Sequence, residues 1–256
     1  MKAPTYGKRG GLNGLDRGSR KVAHAFGKGT VLTHSMKPKG GIALESESER
    51  LVAHMLNLDP DVVSYSAQPF AVELTTSSIA KNDEEKDALR ARTKQRGGKA
   101  VFYTPDFGIV WASGVQAAVE VKLDRFLGDA EYQRKLKLAG TILLGHGYEF
   151  LQLVMPTDWR HPLRTNLPLL HQANMRQDIW PEPDIGDRIL ELQEAGATTM
   201  GDFLGGLALD ARMSPLLLVS GHLEANVVEQ ALCYATPAGP AFGDLSHLNL
   251  VRRLAQ

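Results

Sequence analysis

The sequence has one cysteine, no long apolar run and no net charge. These features exclude several classes of protein. Cys233 alone cannot form an internal disulfide or a cysteine-based zinc cluster, so we expect a protein of a reducing, cytoplasmic compartment. No stretch of about 18 apolar residues occurs, which predicts that no segment spans a membrane. The early basic residues are not followed by an apolar segment, so no secretory signal is expected.

Lysine is also missing from the C-terminal part of the chain. Residues 165–256 hold five arginines and no lysine against eleven acidic residues, whereas residues 1–40 hold nine basic residues and one acid. A basic arm attracts phosphate backbones, although it can equally be a solubilising tail. If it binds DNA, we expect contacts from Lys8, Arg9, Arg17, Arg20 and Lys21. The acidic C-terminal part argues against broad DNA contact there.

Two short segments rich in Val, Ile, Phe and Trp are predicted to form the central strands. They are 103–111 (YTPDFGIVW) and 115–123 (VQAAVEVKL), separated by a short loop. A three-residue loop with Gly114 in the left-handed conformation would set Asp106 opposite Glu120. A two-residue loop would turn Asp106 to the other face. Because side chains alternate along a strand, Glu120 and Lys122 share one face.

Two neighbouring carboxylates and a lysine have a known chemical use. The carboxylates repel each other, and a hard cation such as Mg2+, or Mn2+ in its place, relieves the repulsion. The ammonium of Lys122 can orient an attacking water or neutralise a phosphate. Pro-Asp at 105–106 followed by Glu-Val-Lys at 120–122 is the pattern of the PD-(D/E)xK nucleases. The structural alternative is a Pro-Asp turn beside an ordinary solvated strand face.

A helix is predicted from about residue 45, with acidic residues in its first turns, where the helix dipole favours them. Glu49 lies at the edge of the apolar face, so it is the candidate for a further carboxylate at the metal site. Glu45 shares that position, whereas Glu47 lies on another side. For all three, dipole complementation is the alternative interpretation.

The order of helix, strand, hairpin, helix (129–144) and strand (148–155) predicts an α/β sandwich with a mixed sheet, as in the restriction-endonuclease-like core. Residues 77–98 are polar and are predicted to form an exposed loop whose Lys and Arg can touch DNA. Resemblance to the restriction-endonuclease-like superfamily, which often places phosphate-facing side chains one turn into the second helix, makes Gln133 and Lys135 candidates to line the site; solvent exposure is the simpler interpretation.

The sequence from Glu49 through 59–63 (DPDVV), Gln68-Pro69 and Asp106 to Lys122 resembles the TnsA endonuclease subunit of heteromeric transposases. The resemblance covers residues 42–160. It implies an active site of Glu49, Asp106, Glu120 and Lys122, with Gln68 lining it or capping backbone groups. It also implies cleavage at the 5′ ends of a transposon in the bacterial cytoplasm, beside a DDE-type transposase and an AAA+ regulator.

These observations predict four segments. Residues 1–41 form a basic arm, 42–160 the PD-(D/E)xK domain, and 161–183 a proline-rich linker. Residues 184–256, with three helix-like stretches (184–195, 199–209 and 214–220) and a strand-like tail, predict a mainly α winged-helix-like domain. The third helix of this domain lacks base-reading side chains, so we expect the domain to bind a protein partner more than to read bases.

The preferred function is therefore a metal-dependent endonuclease acting on double-stranded DNA at transposon ends. Two alternatives remain open. One is a stand-alone restriction or repair nuclease of the same fold, which the absence of a neighbouring transposase gene would favour. The other is a non-cleaving DNA-binding assembly module, against which the presence of Asp106, Glu120 and Lys122 argues.

Overall fold

A computed structural model of the chain describes residues 15–16, 31–37, 40–182 and 184–255. The predicted DNA-binding residues Lys8, Arg9, Arg17, Arg20 and Lys21 lie outside the described residues. The elements up to residue 155 are β1 Leu15–Asp16, β2 Val31–Ser35, β3 Gly40–Leu44, α1 Glu47–Leu58, β4 Val62–Ala67, β5 Ala71–Glu73, β6 Ser78–Ala80, α2 Asp83–Gln95, β7 Phe102–Tyr103, β8 Phe107–Trp111, β9 Gln116–Leu123, α3 Ala130–Gly145 and β10 Tyr148–Met155. The later elements are α4 Pro162–Asn174, α5 Ile185–Glu194, α6 Met200–Gly206, α7 Ser214–Val219, β11 Leu223–Glu224, β12 Gly239–Pro240 and α8 Leu250–Leu254.

A four-stranded mixed sheet lies at the centre of the fold, in the order β10-β9-β8-β4. Strand β9 pairs antiparallel with β8 and parallel with β10, which confirms the predicted mixed sheet. Helix α1 packs on one face, where Ala117 and Val119 join the larger apolar core. Helix α3 covers the other face, where Ala118 joins a smaller core with Leu136 and Leu143. The site face of the sheet is therefore partly buried instead of being fully solvated.

The N-terminal strands form a separate three-stranded sheet in the order β1-β3-β2. Strand β3 runs across the predicted boundary at residue 42, and Ile42 and Leu44 are buried in the larger core. The segment before α1 is therefore partly integrated into the fold, where the sequence predicted only an extended arm.

The prediction of a loop over 77–98 is wrong. This stretch contains β6 and helix α2, and β6 joins β5 and β7 in a small sheet. Asn82 caps the helix by accepting from the Glu85 N–H at 2.8 Å. Because Thr93 is the only fully buried side chain of α2, the helix has no apolar stripe that a sequence pattern can reveal.

The prediction of a linker over 161–183 is wrong for its first half. Residues 162–174 form helix α4, which packs on α1 through the buried Leu163, Leu167 and Leu170. Pro162 stands in the first turn, where its missing N–H costs nothing, and Pro168 is accommodated inside the helix. The prolines in this segment favoured the prediction of a linker. The spacing of the three buried leucines is instead typical of a helix.

The C-terminal part folds against the part that carries the four-stranded sheet. Helices α5, α6 and α7 are followed by a two-stranded antiparallel sheet of β11 and β12. The Val251 N–H of α8 donates to Asp59 Oδ2 at 2.8 Å, and Asn166 Nδ2 donates to the Val227 carbonyl at 2.8 Å. In the described part of the chain, no helix is long and apolar enough to cross a membrane.

Candidate active site

The turn between β8 and β9 determines whether the two predicted carboxylates meet. Gly114 has a φ of 81°, the left-handed conformation that a three-residue loop requires. Phe107 pairs with Val119, so the preceding residue, Asp106, lies beside Glu120 at the end of the ladder. The three-residue alternative is confirmed, and the two-residue alternative, which would place Asp106 on the other face, is excluded.

Asp106 is a partly accessible carboxylate in a crowded, negatively charged setting. Its Oδ2 accepts the Val121 N–H at 2.7 Å. Burial raises the pKa of Asp106 well above its usual range, and the charges of Glu120 and Glu49 raise it further. The Val121 N–H and the Lys122 ammonium oppose this shift. Asp106 therefore retains its proton more readily than an ordinary aspartate.

Glu120 is 3% exposed and both of its oxygens are engaged. The Tyr103 hydroxyl donates to Oε2 at 2.7 Å, and the Tyr132 hydroxyl donates to Oε1 at 2.6 Å. The Lys122 ammonium also lies 2.6 Å from Oε1 and donates to the Tyr132 hydroxyl at 3.1 Å. Burial lowers the pKa of Lys122, but these partners outweigh it and raise the pKa above its usual value. The lysine is therefore held as an ammonium.

Glu49 approaches the two strand carboxylates from the first turn of α1. Its backbone N–H donates to the capping Ser46 Oγ at 3.2 Å, while its own Oε1 accepts from Ser46 Oγ at 2.8 Å. Burial raises the pKa of Glu49, and the charges of Glu45 and Glu120 add to this against the opposing hydrogen bonds from Glu45 and Ser46. Glu47 instead pairs with Arg50 on the exposed side. Glu49 thus both caps the helix and interacts electrostatically with Glu120.

Gln68 connects the segment just before α1 to Asp106, the residue just before β8. Its N–H donates to the Asp106 carbonyl at 2.9 Å, and its side-chain amide donates to Glu45 Oε1 at 3.1 Å. Gln68 has a φ of 46°, a conformation that costs a non-glycine residue about 1–3 kcal/mol. This strained residue holds Glu45 and Asp106 in register at the edge of the site.

The donors at this site are of the kind that Mg2+ prefers. Carboxylate oxygens are its usual protein ligands, and a bound cation would offset the burial and the mutual repulsion that raise the pKa values of Glu49 and Asp106. Among the described residues, however, no three His, Cys, Asp or Glu side chains form a preassembled metal-binding group. The donor set fits a hard cation in kind, and binding one would require the carboxylates to move together.

Residues 59–153 match the family model of the TnsA-like endonuclease N-terminal domain. This part of the chain is similar to the N-terminal domain of TnsA-like endonucleases, and we call it the TnsA-like domain. The match includes Asp106, Glu120, Lys122 and Gln68, whereas Glu49 precedes it, so the place of Glu49 at the site depends on the electrostatics of α1. The comparison with curated proteins found no match.

Two predicted site-lining residues of the TnsA-like domain, Gln133 and Lys135, make no hydrogen bond or ion pair with the described carboxylates of the site. Gln133 donates from its amide to the Leu127 carbonyl and so closes the loop before α3. Among the described residues, Lys135 has no hydrogen bond or ion pair recorded with Glu49, Asp106, Glu120 or Lys122. The helix position that does reach the site is Tyr132, one residue before Gln133.

Two tyrosines of the TnsA-like domain bind Glu120, and neither is among the site residues predicted from the sequence. Tyr103 lies in a predicted strand and Tyr132 in a predicted helix. The one signal in the sequence was that Tyr132 follows the capping Asp129 by three residues, in the first turn of α3. That spacing fixes the helix position, but which strand the hydroxyl reaches depends on how α3 packs on the sheet.

Proposed function

We propose that the protein is a Mg2+-dependent DNA endonuclease, the TnsA-like subunit of a heteromeric transposase that cleaves the 5′ ends of a transposon. The observation that carries the proposal is the meeting of Asp106, Glu120 and Lys122 inside a TnsA-like endonuclease domain. Burying neighbouring carboxylates beside an ammonium lowers the stability of the fold. The same arrangement can bind a cation and a phosphate group.

In this proposal Glu49, Asp106 and Glu120 would hold the cation. The cation would supply an activated water and charge stabilisation for phosphodiester cleavage. The ammonium of Lys122 would donate to the water or to the phosphate oxygen on which charge develops. Gln68 would hold Asp106 close to Glu45, in the segment that leads into α1. Both Asp106 and Lys122 are partly accessible, so a phosphate can approach them from solvent.

The C-terminal part would bind a protein partner, namely the DDE-type transposase or the AAA+ regulator. Three helices followed by a two-stranded sheet are compatible with a winged-helix-like domain. Helix α7, at the position of a recognition helix, buries Leu216, Leu217, Leu218 and Val219 and so offers little to a DNA groove. The acidic excess of residues 165–256 also disfavours a phosphate backbone.

The proposal is tested by a nicking assay on a transposon-end duplex, with Mg2+ or with chelator, and with or without the candidate partner proteins. Glu49→Gln and Glu47→Gln are a matched pair, since both remove one negative charge from the first turn of α1. We expect Glu49→Gln to lower the rate by at least about tenfold, because it removes a carboxylate that interacts with Glu120.

Glu47→Gln should leave the rate within about twofold, because Glu47 is exposed and pairs with Arg50. Equal rates for both variants would remove Glu49 from the site. Chelator-resistant cleavage would contradict the metal requirement. Cleavage of any duplex regardless of transposon ends or partners would favour a stand-alone nuclease, and DNA binding without cleavage would favour an assembly module.

A further inference from the structure

The hydrogen bonds around Glu120 leave its two oxygens unequal. A carboxylate offers about four acceptor positions, two on each oxygen. Oε1 receives Tyr132 and Lys122, while Oε2 receives Tyr103 alone. Among the described groups, the position that remains is on Oε2. Glu120 can therefore offer a ligand atom on the Tyr103 side while its other oxygen stays bound to Tyr132 and Lys122.

Lys122 is held with one donor to spare. An ammonium has three N–H bonds, and two of them point to Glu120 Oε1 and the Tyr132 hydroxyl. The ammonium also lies 4.3 Å from the centre of the Tyr132 ring, a cation–π contact. With two directions fixed and the side chain partly accessible, the third N–H points along a defined direction.

The fold fixes Tyr132 rigidly enough to serve as a support. Its N–H donates to the capping Asp129 Oδ1 at 2.8 Å, which anchors the first turn of α3. The loop before the helix passes close under the ring, since a Cβ at Gly128 would come within 2.7 Å of Tyr132 Cδ1. Gly128 also has a φ of 89°, so the loop requires glycine there for two reasons.

We propose that Tyr132 is a positioning residue that directs the Lys122 ammonium toward the reacting phosphate or its water, whereas Tyr103 orients Glu120 alone. This inference rests on the proposed endonuclease function and gives two hydroxyls on one carboxylate different roles. The difference follows from contacts: both hydroxyls donate to Glu120, and of the two, the structure records a bond to Lys122 for Tyr132.

Tyr132→Phe and Tyr103→Phe form a matched pair, because each removes one hydroxyl from Glu120 and keeps the ring. In Mg2+-dependent cleavage by the full chain, Tyr132→Phe should lower kcat by about 10- to 100-fold and leave the Mg2+ dependence unchanged. Tyr103→Phe should raise the Mg2+ concentration needed for half-maximal rate and leave kcat at saturating Mg2+ near the wild-type value. The reverse pattern would overturn the assignment.

A double-mutant cycle with Lys122→Ala tests whether Tyr132 acts through the lysine. In the Lys122→Ala background, Tyr132→Phe should cost no more than about twofold, because the group it positions is gone. Tyr103→Phe should cost as much as it does in the wild type. If the Tyr132 and Lys122 losses simply multiply, Tyr132 does not position the lysine and the proposal fails.

A readout without metal or DNA separates this inference from the endonuclease proposal. In the metal-free chain labelled with 15N-lysine, an ammonium held by two hydrogen bonds should give a Lys122 signal that is protected from exchange with water in NMR spectra. Tyr132→Phe should remove that protection and Tyr103→Phe should retain it, with thermal melts confirming that both variants are folded. Protection that survives Tyr132→Phe would overturn the positioning role, whereas a wild type that never cleaves DNA would overturn the endonuclease proposal alone.

Discussion

At the residue scale, the site stores unfavourable electrostatic energy in Asp106. Its pKa is raised by burial and by the charges of Glu120 and Glu49. A carboxyl whose pKa is higher in the folded than in the unfolded chain favours folding below the unfolded value, near 3.9. That contribution is lost as the pH rises through the folded pKa. Ionised Asp106 therefore lowers the stability of the metal-free protein at neutral pH.

We predict that Asp106→Asn raises the melting temperature of the metal-free protein at pH 7 while abolishing cleavage. The amide removes the charge and can still accept the Val121 N–H. For a chain of this length each kcal/mol of added stability shifts Tm by about 2–4 °C. The advantage should shrink as the pH falls toward 4, because the folded aspartate is then protonated and so is about half of the unfolded population. Calorimetric melts from pH 4 to 8 measure it.

Adding Mg2+ to the same melting experiment tests whether Asp106 is a metal ligand. If Asp106 is a ligand, added Mg2+ should raise the Tm of the wild type and close the gap to Asp106→Asn. Asp124→Asn is a suitable control, because Asp124 is an exposed carboxylate bound to Thr157. A variant that is less stable than the wild type at pH 7 without metal would show that the repulsion at Asp106 is not a significant cost.

At the element scale, the structure shows which helices and strands could be predicted from sequence patterns. The hairpin was predictable because alternation and Gly114 fix its register, and the register brings Asp106 to Glu120. Helix α2 was not predictable from the sequence, because it has almost no buried face. Helix α4 has Leu163, Leu167 and Leu170 at helical spacing, but its prolines favoured a linker. The tyrosine contacts could not be predicted, since they depend on the packing of β7 and α3 around β9.

Helix α2 ends in a basic segment that leads directly into the site. Arg92, Lys94, Arg96 and Lys99 are exposed, and no acid occurs from residue 90 to residue 99. Tyr103 follows Lys99 by only four positions, so their Cα atoms are at most about 14 Å apart. Cation–π contacts of Lys86 and Arg90 with Phe102 fasten the helix to β7. The basic segment is thus held near the carboxylates.

We predict that Arg92→Glu combined with Arg96→Glu weakens binding of duplex DNA, measured with chelator present so that no cleavage occurs. Each lost phosphate contact should reduce the salt dependence by about 0.9 in the slope of log K against log salt. The double variant Arg188→Glu with Arg212→Glu changes the net charge equally in the acidic C-terminal part. If both double variants weaken binding by the same factor, net charge and not this segment is responsible.

At the scale of the whole molecule, one apolar core joins the TnsA-like domain to the C-terminal helices. Leucines of α1, α4 and α7 and Val251 of α8 belong to the same buried cluster. Arg252 of α8 also stacks 4.3 Å from the centre of the Trp111 ring and pairs with Glu149. The sequence alone divides the chain after residue 160, which predicts that a fragment ending near Arg164 keeps the metal site. The shared core changes that expectation.

We predict that a fragment ending at Arg164 fails to fold as a stable monomer, although Glu49, Asp106, Glu120 and Lys122 all precede its end. It would lose Leu167, Leu170 and Val251, each worth about 1.5–3 kcal/mol when buried, from a total stability of about 5–15 kcal/mol. It would also expose the face of α1 that α4 covers. Circular dichroism melts and size-exclusion chromatography should show a broad or absent transition and aggregation. Leu167→Ala in the full chain is the graded counterpart and should cost about 2–5 kcal/mol. A fragment that melts cooperatively at the wild-type temperature and binds Mg2+ would show that the nuclease part folds independently, as the sequence alone suggested.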